Sequence, residues 1–274
     1  MNKPTVILDM PEAEYHARPE VSAHQLMKIL ECPAKFRDAI DHPPEPTADM
    51  IFGSRFHAAV LEPLRYGDET VTMPDGMIRR GKAWEEFSSA NAGKAIITAD
   101  DASAIAGMKA SCMAHPDIAR AVSDSKHEVS IFWVDRETGV EMRARIDMVR
   151  FKRDEGRGTI DDAKTTTDAS ANAVRKDVGN FNYDMQASVY IDGFASVMSI
   201  EPEDVTFSLD CVEKSSPYLC ARYTLPALTI ALGRAKYRAA LNLFTKCKET
   251  NEWPSYYSGM LPEPTVWELK EWGM

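Results

Sequence analysis

No stretch of this sequence approaches the roughly 18 consecutive apolar residues of a membrane-spanning helix, and residues 1–5 lack the apolar centre of a secretory signal. The chain therefore reads as cytoplasmic, with no membrane partner. Cysteine is scarce and scattered: Cys32, Cys112, Cys211, Cys220 and Cys247 form no CxxC pair, which argues against a zinc or iron–sulfur site and leaves reduced, partly buried thiols. Positive charge is in deficit too. With 32 Lys and Arg against 42 Asp and Glu, the net charge of −10 argues against coating nucleic acid by bulk charge, and leaves local basic patches and bound cations as routes to a phosphate. Internal repeats and low-complexity segments are also missing.

What remains is an ordinary globular composition, 44% hydrophobic and 27% charged over 274 residues, enough for a sizeable core. We expect one domain over residues 1–274. Residues 1–20 read as a loosely structured arm. Ser22 and Gln25 then have capping-box spacing ahead of Leu26, Ile29 and Leu30, a helix that should end near Cys32-Pro33. After the proline-rich connector 42–46, Thr47 should start a helix carrying Phe52, Phe56 and His57 and stopping before Pro63. Residues 64–126 have a mostly helical pattern and read as an insertion.

At Glu128 the period changes to two, and residues 127–225 read as core strands and helix. Val129, Ile131 and Trp133 share one face of a first strand. Past a turn at 135–139, a second strand carries Val140, Met142, Ala144, Ile146 and Met148 inward, with Glu141, Arg143, Arg145 and Asp147 opposite. Residues 159–164 form a third. A helix should end around Gly179-Asn180, and a longer one has Tyr183, Gln186, Tyr190, Phe194 and Val197 on one stripe. A hairpin over 205–225 follows, then an amphipathic helix and an aromatic tail with Trp253, Tyr256, Tyr257, Trp267 and Trp272, which together make up residues 226–274.

The chemistry concentrates in residues 140–164. On a strand Asp162 and Lys164 point the same way, with Ala163 turned to the opposite layer, and a neighbouring strand brings Asp147 beside them. Two adjacent carboxylates raise one another's pKa unless a cation lies between them, so the pair implies a divalent metal, and oxygen ligands favour magnesium or manganese. Arg143 and Arg145 either face solvent or clamp a phosphate. His57, with Gly53 one turn before it, is either a satisfied core residue or a group open to close approach. Gln186 interrupts an aromatic stripe, so its amide needs a definite partner, a backbone group or an active site.

In this order the elements resemble the core of the PD-(D/E)xK nuclease superfamily, and within it the RecE-like (exonuclease VIII) exodeoxyribonucleases. The resemblance rests on Gly53-x-x-x-His57 with Leu61-Glu62-Pro63, Arg145-Ile146-Asp147, Asp162-Ala163-Lys164-Thr165-Thr166, Gln186-x-x-x-Tyr190, and the entry Ser22 to Leu26 followed by Cys32-Pro33-Ala34-Lys35-Phe36; it spans about residues 15–225. It implies an α/β fold with a restriction-endonuclease-like core: a central mixed sheet flanked by helices, with a helical insertion. It implies that His57, Asp147, Asp162 and the Ala163 carbonyl bind Mg²⁺, with Mn²⁺ able to substitute, and that Lys164 orients or activates the attacking water. Gln186 and Tyr190 would line the DNA side. Asp162 stands where much of the superfamily has glutamate, and either carboxylate can ligate.

The implied activity is 5′-to-3′ exonucleolysis from double-stranded DNA ends in phage or prophage recombination. A single-strand annealing recombinase is the implied partner and a ring the implied homo-oligomer. The alternatives are an endonuclease or CRISPR-adaptation-type nuclease of the same fold, although the iron–sulfur members need a cysteine cluster that is missing here, and a non-catalytic DNA-binding or assembly protein with a degenerate nuclease fold, which would have an incomplete metal set.

Overall fold

The alternating segments pair into one six-stranded sheet. In this computed structural model, which describes residues 4–256 and residue 270, the strands are β1 (Thr5–Ile7), β4 (Lys126–Val134), β5 (Glu141–Lys152), β6 (Arg157–Thr166), β7 (Val205–Glu213) and β8 (Cys220–Thr224), side by side in that order. Among the described strands of this sheet, only β6 and β7 run parallel to each other. Parallel neighbours cannot be joined by a tight turn, and the crossover is supplied by α9 (Ala171–Asn180) and α10 (Tyr183–Met198). The short strands β2 (Thr70–Thr72) and β3 (Ala95–Ile97) form a separate parallel pair.

Helices cover both faces. On one, α10 packs with α2 (Ala23–Glu31) and α11 (Ala227–Thr250), so that Leu26, Ile29, Met185, Val189 and Leu241 meet Ala144, Ile146 and Ile160 of the sheet. On the other, α4 (Ala48–Leu61), α7 (Ala99–Ala114) and α8 (Pro116–Asp124) bury Phe56, Ile105, Met108 and Ile118 against Met148, Ala163 and Val212. Of the remaining helices, α3 (Pro33–Asp41) adds Phe36 to the first core and α1 (Glu12–Ala17) buries Tyr15, while α5 (Pro63–Glu69) and α6 (Lys82–Ala90) bury no residue. Helix starts follow the local chemistry. At α2 the Ser22 N–H donates to Gln25 Oε1 at 2.9 Å while Ser22 Oγ accepts from the Gln25 N–H at 3.4 Å; at α4 Thr47 Oγ1 accepts from the Met50 N–H at 3.3 Å.

Three expectations change. In the expected loose arm over 1–20, the described residues 4–20 are fixed: β1 pairs antiparallel with β4, and Met10 and Tyr15 are buried against Phe132. The partners that fix this segment lie more than a hundred residues downstream, so no local pattern announces them. Within 64–126, α7 and α8 bury Ile105, Met108, Cys112, Ile118 and Ala121 in the second core, and β2 and β3 interrupt the helical pattern. The uniform alternation expected for the second strand also fails, because Ile146 and Val149 belong to one core and Met148 to the other. Tyr257, Trp267 and Trp272 lie outside the described residues. Trp253 stacks on Phe36, ring centroids 5.3 Å apart.

Candidate metal centre

The failure of alternation creates the site. Residues of β4 and β5 pair from Lys126↔Val149 to Val134↔Glu141, and the rung between His127↔Met148 and Val129↔Ile146 is occupied by Glu128 and Asp147. Both strands change face there. Val129 and Ile146 look into the first core, Met148 into the second, and the His127 imidazole bonds to the Leu61 and Val122 carbonyls on that second side, each at 2.8 Å. Glu128 makes the reversal with φ 49°, a left-handed conformation uncommon outside glycine. The β5–β6 ladder stops at Met148↔Asp161, one residue short of Asp147 and Asp162, so the two strands part where the carboxylates stand.

Into this split Asp147 Oδ2 accepts the Ala163 N–H at 2.9 Å, a donor that the ended ladder would leave unpaired. The N–H and C=O of one residue lie on the same edge of an extended strand, so the Ala163 carbonyl faces the split as well. Helix α4, anchored by buried Phe56, Ala59 and Val60, brings His57 Nδ1 to 3.5 Å from Asp147 Oδ2. Ligand atoms of His57, Glu128 and Asp147 all lie within 4.8 Å of one another. Burial drives the Asp147 carboxyl up to about 7; His57 pulls it down, and the Asp162 and Glu128 carboxylates push it further up. Two carboxylates and an imidazole, one of them unable to keep its charge unaided, fit a divalent cation.

Beside this group stands a second one. Lys164 Nζ is ion-paired with Asp162 Oδ2, Gln186 Nε2 donates to Asp162 Oδ1 at 3.0 Å, and Lys164 Nζ donates to Gln186 Oε1 at 3.2 Å. Gln186 thus finds its partners in the site rather than in the backbone. Burial pulls the Lys164 amine down, but the Asp162 and Asp147 carboxylates outweigh it and the net shift is upward, so the group is an ammonium at neutral pH. The Tyr183 ring lies against it, 4.8 Å from Nζ to centroid. The neighbouring Asp161 points to the opposite face, where Arg222 and Arg150 pair with it and Arg222 also holds Asp210. That quartet, two buried aspartates under two half-buried arginines, ties β5, β6, β7 and β8 together.

Other expected site residues stand elsewhere. Arg143 is 6% exposed, and its Nη1 donates to the carbonyls of Tyr15, His16 and Arg18 with the guanidinium over the Tyr15 ring. Buried and turned onto those carbonyls, the guanidinium is tied to the segment 15–18 rather than presented as a phosphate clamp. Arg145 Nε pairs with Glu128 at 2.6 Å and Nη1 donates to the Met10 carbonyl at 3.0 Å, which makes it a counter-charge for the metal group. Tyr190 is buried edge-on to Phe207, with its hydroxyl held well above the usual phenol range by burial, and lies behind Gln186 rather than on a DNA-facing surface. Glu128 is the residue that pattern reading missed, yet counting rungs back from the 135–139 turn puts it opposite Asp147.

The family described as a PDDEXK-like domain of unknown function (DUF3799) matches residues 22–261. A solved structure, the crystal structure of a "Putative exonuclease" from Eubacterium rectale, superposes with a TM-score of 0.65 over 97% of this chain and 100% of that one, at 11% sequence identity. No curated protein matches. Among the described residues no helix is long and apolar enough to cross a membrane.

Proposed function

This chain belongs to the PDDEXK-like family DUF3799, and from that premise we propose that it hydrolyses DNA phosphodiester bonds with a divalent cation, magnesium in first place and manganese as a substitute. The observation that carries the proposal is the convergence of His57, Glu128 and Asp147 beside the Asp162–Lys164–Gln186 set. His57, Glu128 and Asp147 would hold the cation, with Asp162 and the Ala163 carbonyl at the same split. A cation so held lowers the pKa of water and neutralises charge on phosphoryl oxygens.

The rest is done by the chain. Lys164, kept charged by Asp162 and Asp147, supplies donors to the water or to a phosphate oxygen, and Gln186 fixes both members of that pair in one geometry. Arg145 holds Glu128 on its rung, so the ligand atoms are positioned before any substrate arrives.

The finer reading follows the RecE-like resemblance of the motifs: 5′-to-3′ digestion from double-stranded ends, in phage or prophage recombination, with a single-strand annealing recombinase as partner and a ring-shaped homo-oligomer. Purified protein incubated with linear and circular duplex DNA in Mg²⁺ or EDTA tests it, alongside Asp162→Ala and Lys164→Ala. Degradation of linear DNA alone, abolished by EDTA and by both substitutions, is the expected result. Cutting of circles would overturn the exonuclease reading, and full activity in Asp162→Ala would overturn the site.

A further inference from the structure

Tyr183, which lies against Lys164, is itself in contact with Phe181, ring centroids 5.6 Å apart and planes tilted by 33°. Phe181 is 57% exposed. A continuous path therefore runs from the catalytic lysine through a half-buried ring to an aromatic face open to solvent. The other exposed aromatic ring among the described residues, Tyr256, lies far along the chain and takes the Lys35 ammonium on its face.

The corner that presents Phe181 is held fast. Phe181 is the residue after α9, its N–H bonded to the Asp177 carbonyl at 2.9 Å, and Asn182 turns the chain into α10 with φ 54°. From α11, Lys236 Nζ donates to Asn182 Oδ1 at 3.2 Å and to Asp184 Oδ2 at 2.7 Å. Gly233, one turn earlier on α11, packs so tightly that a Cβ there would stand 1.9 Å from the Asp184 carbonyl oxygen. An apolar ring exposed on a rigid corner beside a phosphate-handling lysine is pre-set to receive a flat ligand without an ordering cost.

We propose that Phe181 is a stacking platform for the nucleobase flanking the scissile phosphate, and so a specificity-determining residue for the reaction. The inference rests on the phosphodiesterase reading above. Bases inside a duplex stack cannot reach such a ring, so the platform favours an unpaired or frayed nucleotide at the cut position.

Oligonucleotides carrying one abasic nucleotide, placed on either side of the bond cleaved in the intact strand, test this with wild type, Phe181→Ala and Phe181→Trp in Mg²⁺. Wild type should lose about tenfold in kcat/KM when the stacked base is removed. Phe181→Ala should lose about tenfold on the intact strand and show no further loss on the abasic one, while Phe181→Trp keeps the wild-type pattern. Equal sensitivity of wild type and Phe181→Ala to base removal overturns the platform while leaving the nuclease reading intact. So does a Phe181→Ala variant that changes only its oligomeric state. A wild type that cleaves no strand overturns both.

Discussion

The buried carboxylate of Asp147 should make metal-free protein less stable as pH rises through the neutral range. Its proton is held more tightly in the folded chain, up to about 7, than in the unfolded chain, where a carboxyl titrates near the ordinary value of 3.8. Between these limits raising pH favours unfolding, because the unfolded state releases the proton first. A displacement of about three units is worth at most about 4 kcal/mol by pH 8, or roughly 10 °C in melting temperature for a domain of this size. Asp210, held up to about 7 by burial, and Asp161, also raised, contribute with the same sign, so the informative quantity is the difference from Asp147→Asn. Thermal melts in EDTA at pH 5 and pH 8 should show a larger fall for wild type than for Asp147→Asn. Millimolar Mg²⁺ should remove most of the wild-type fall, since binding to the folded state alone stabilises it. An identical pH response in the two proteins, or a fall that Mg²⁺ leaves untouched, would refute the assignment of Asp147 to a cation site.

Glu128→Gln keeps the shape of the rung and removes one charge, so Mn²⁺ affinity measured by calorimetry should weaken at least about tenfold; unchanged affinity would remove Glu128 from the ligand set. Gln186→Ala strips Asp162 Oδ1 and Lys164 Nζ of a shared partner and should cost about 1–3 kcal/mol in chemical denaturation, with DNA cleavage reduced about 10- to 100-fold; cleavage at wild-type rate would show that the pair is positioned without it. Arg143→Met should release the segment around Tyr15, detected as new cleavage between residues 8 and 20 in limited proteolysis, with about 2–4 kcal/mol lost; a segment as protected as in wild type would contradict its anchoring.

The parts of the site legible in the sequence were those governed by one strand or one helix. Asp162 and Lys164 lie two apart on a strand, and Gln186 is an amide in an apolar stripe, so each position carries its own signal. What the pattern could not carry was the left-handed turn at Glu128, where glutamate is an unfavoured residue and the surrounding alternation gives no warning. The same reversal moved Met148 to the second core, against the uniform phase its neighbours imply. Arg143 misled for a related reason. A charged residue alternating with apolar ones reads as facing solvent or ligand, and only the distant residues 15–18 turn that face into an interior.

That long-range capture has a consequence for synthesis. Residues 4–20 leave the ribosome before the partners on which they settle, because Phe132, Arg143 and the β4 edge emerge over a hundred residues later. Until then Met10 and Tyr15 lack the Phe132 ring that covers them, and β1 has to wait for a partner made long after it. A folding reporter or a stalling sequence placed before residue 126 would therefore catch β1 still unclaimed, and a bulky group fused just ahead of β1 would act on an edge that stays open until β4 is made.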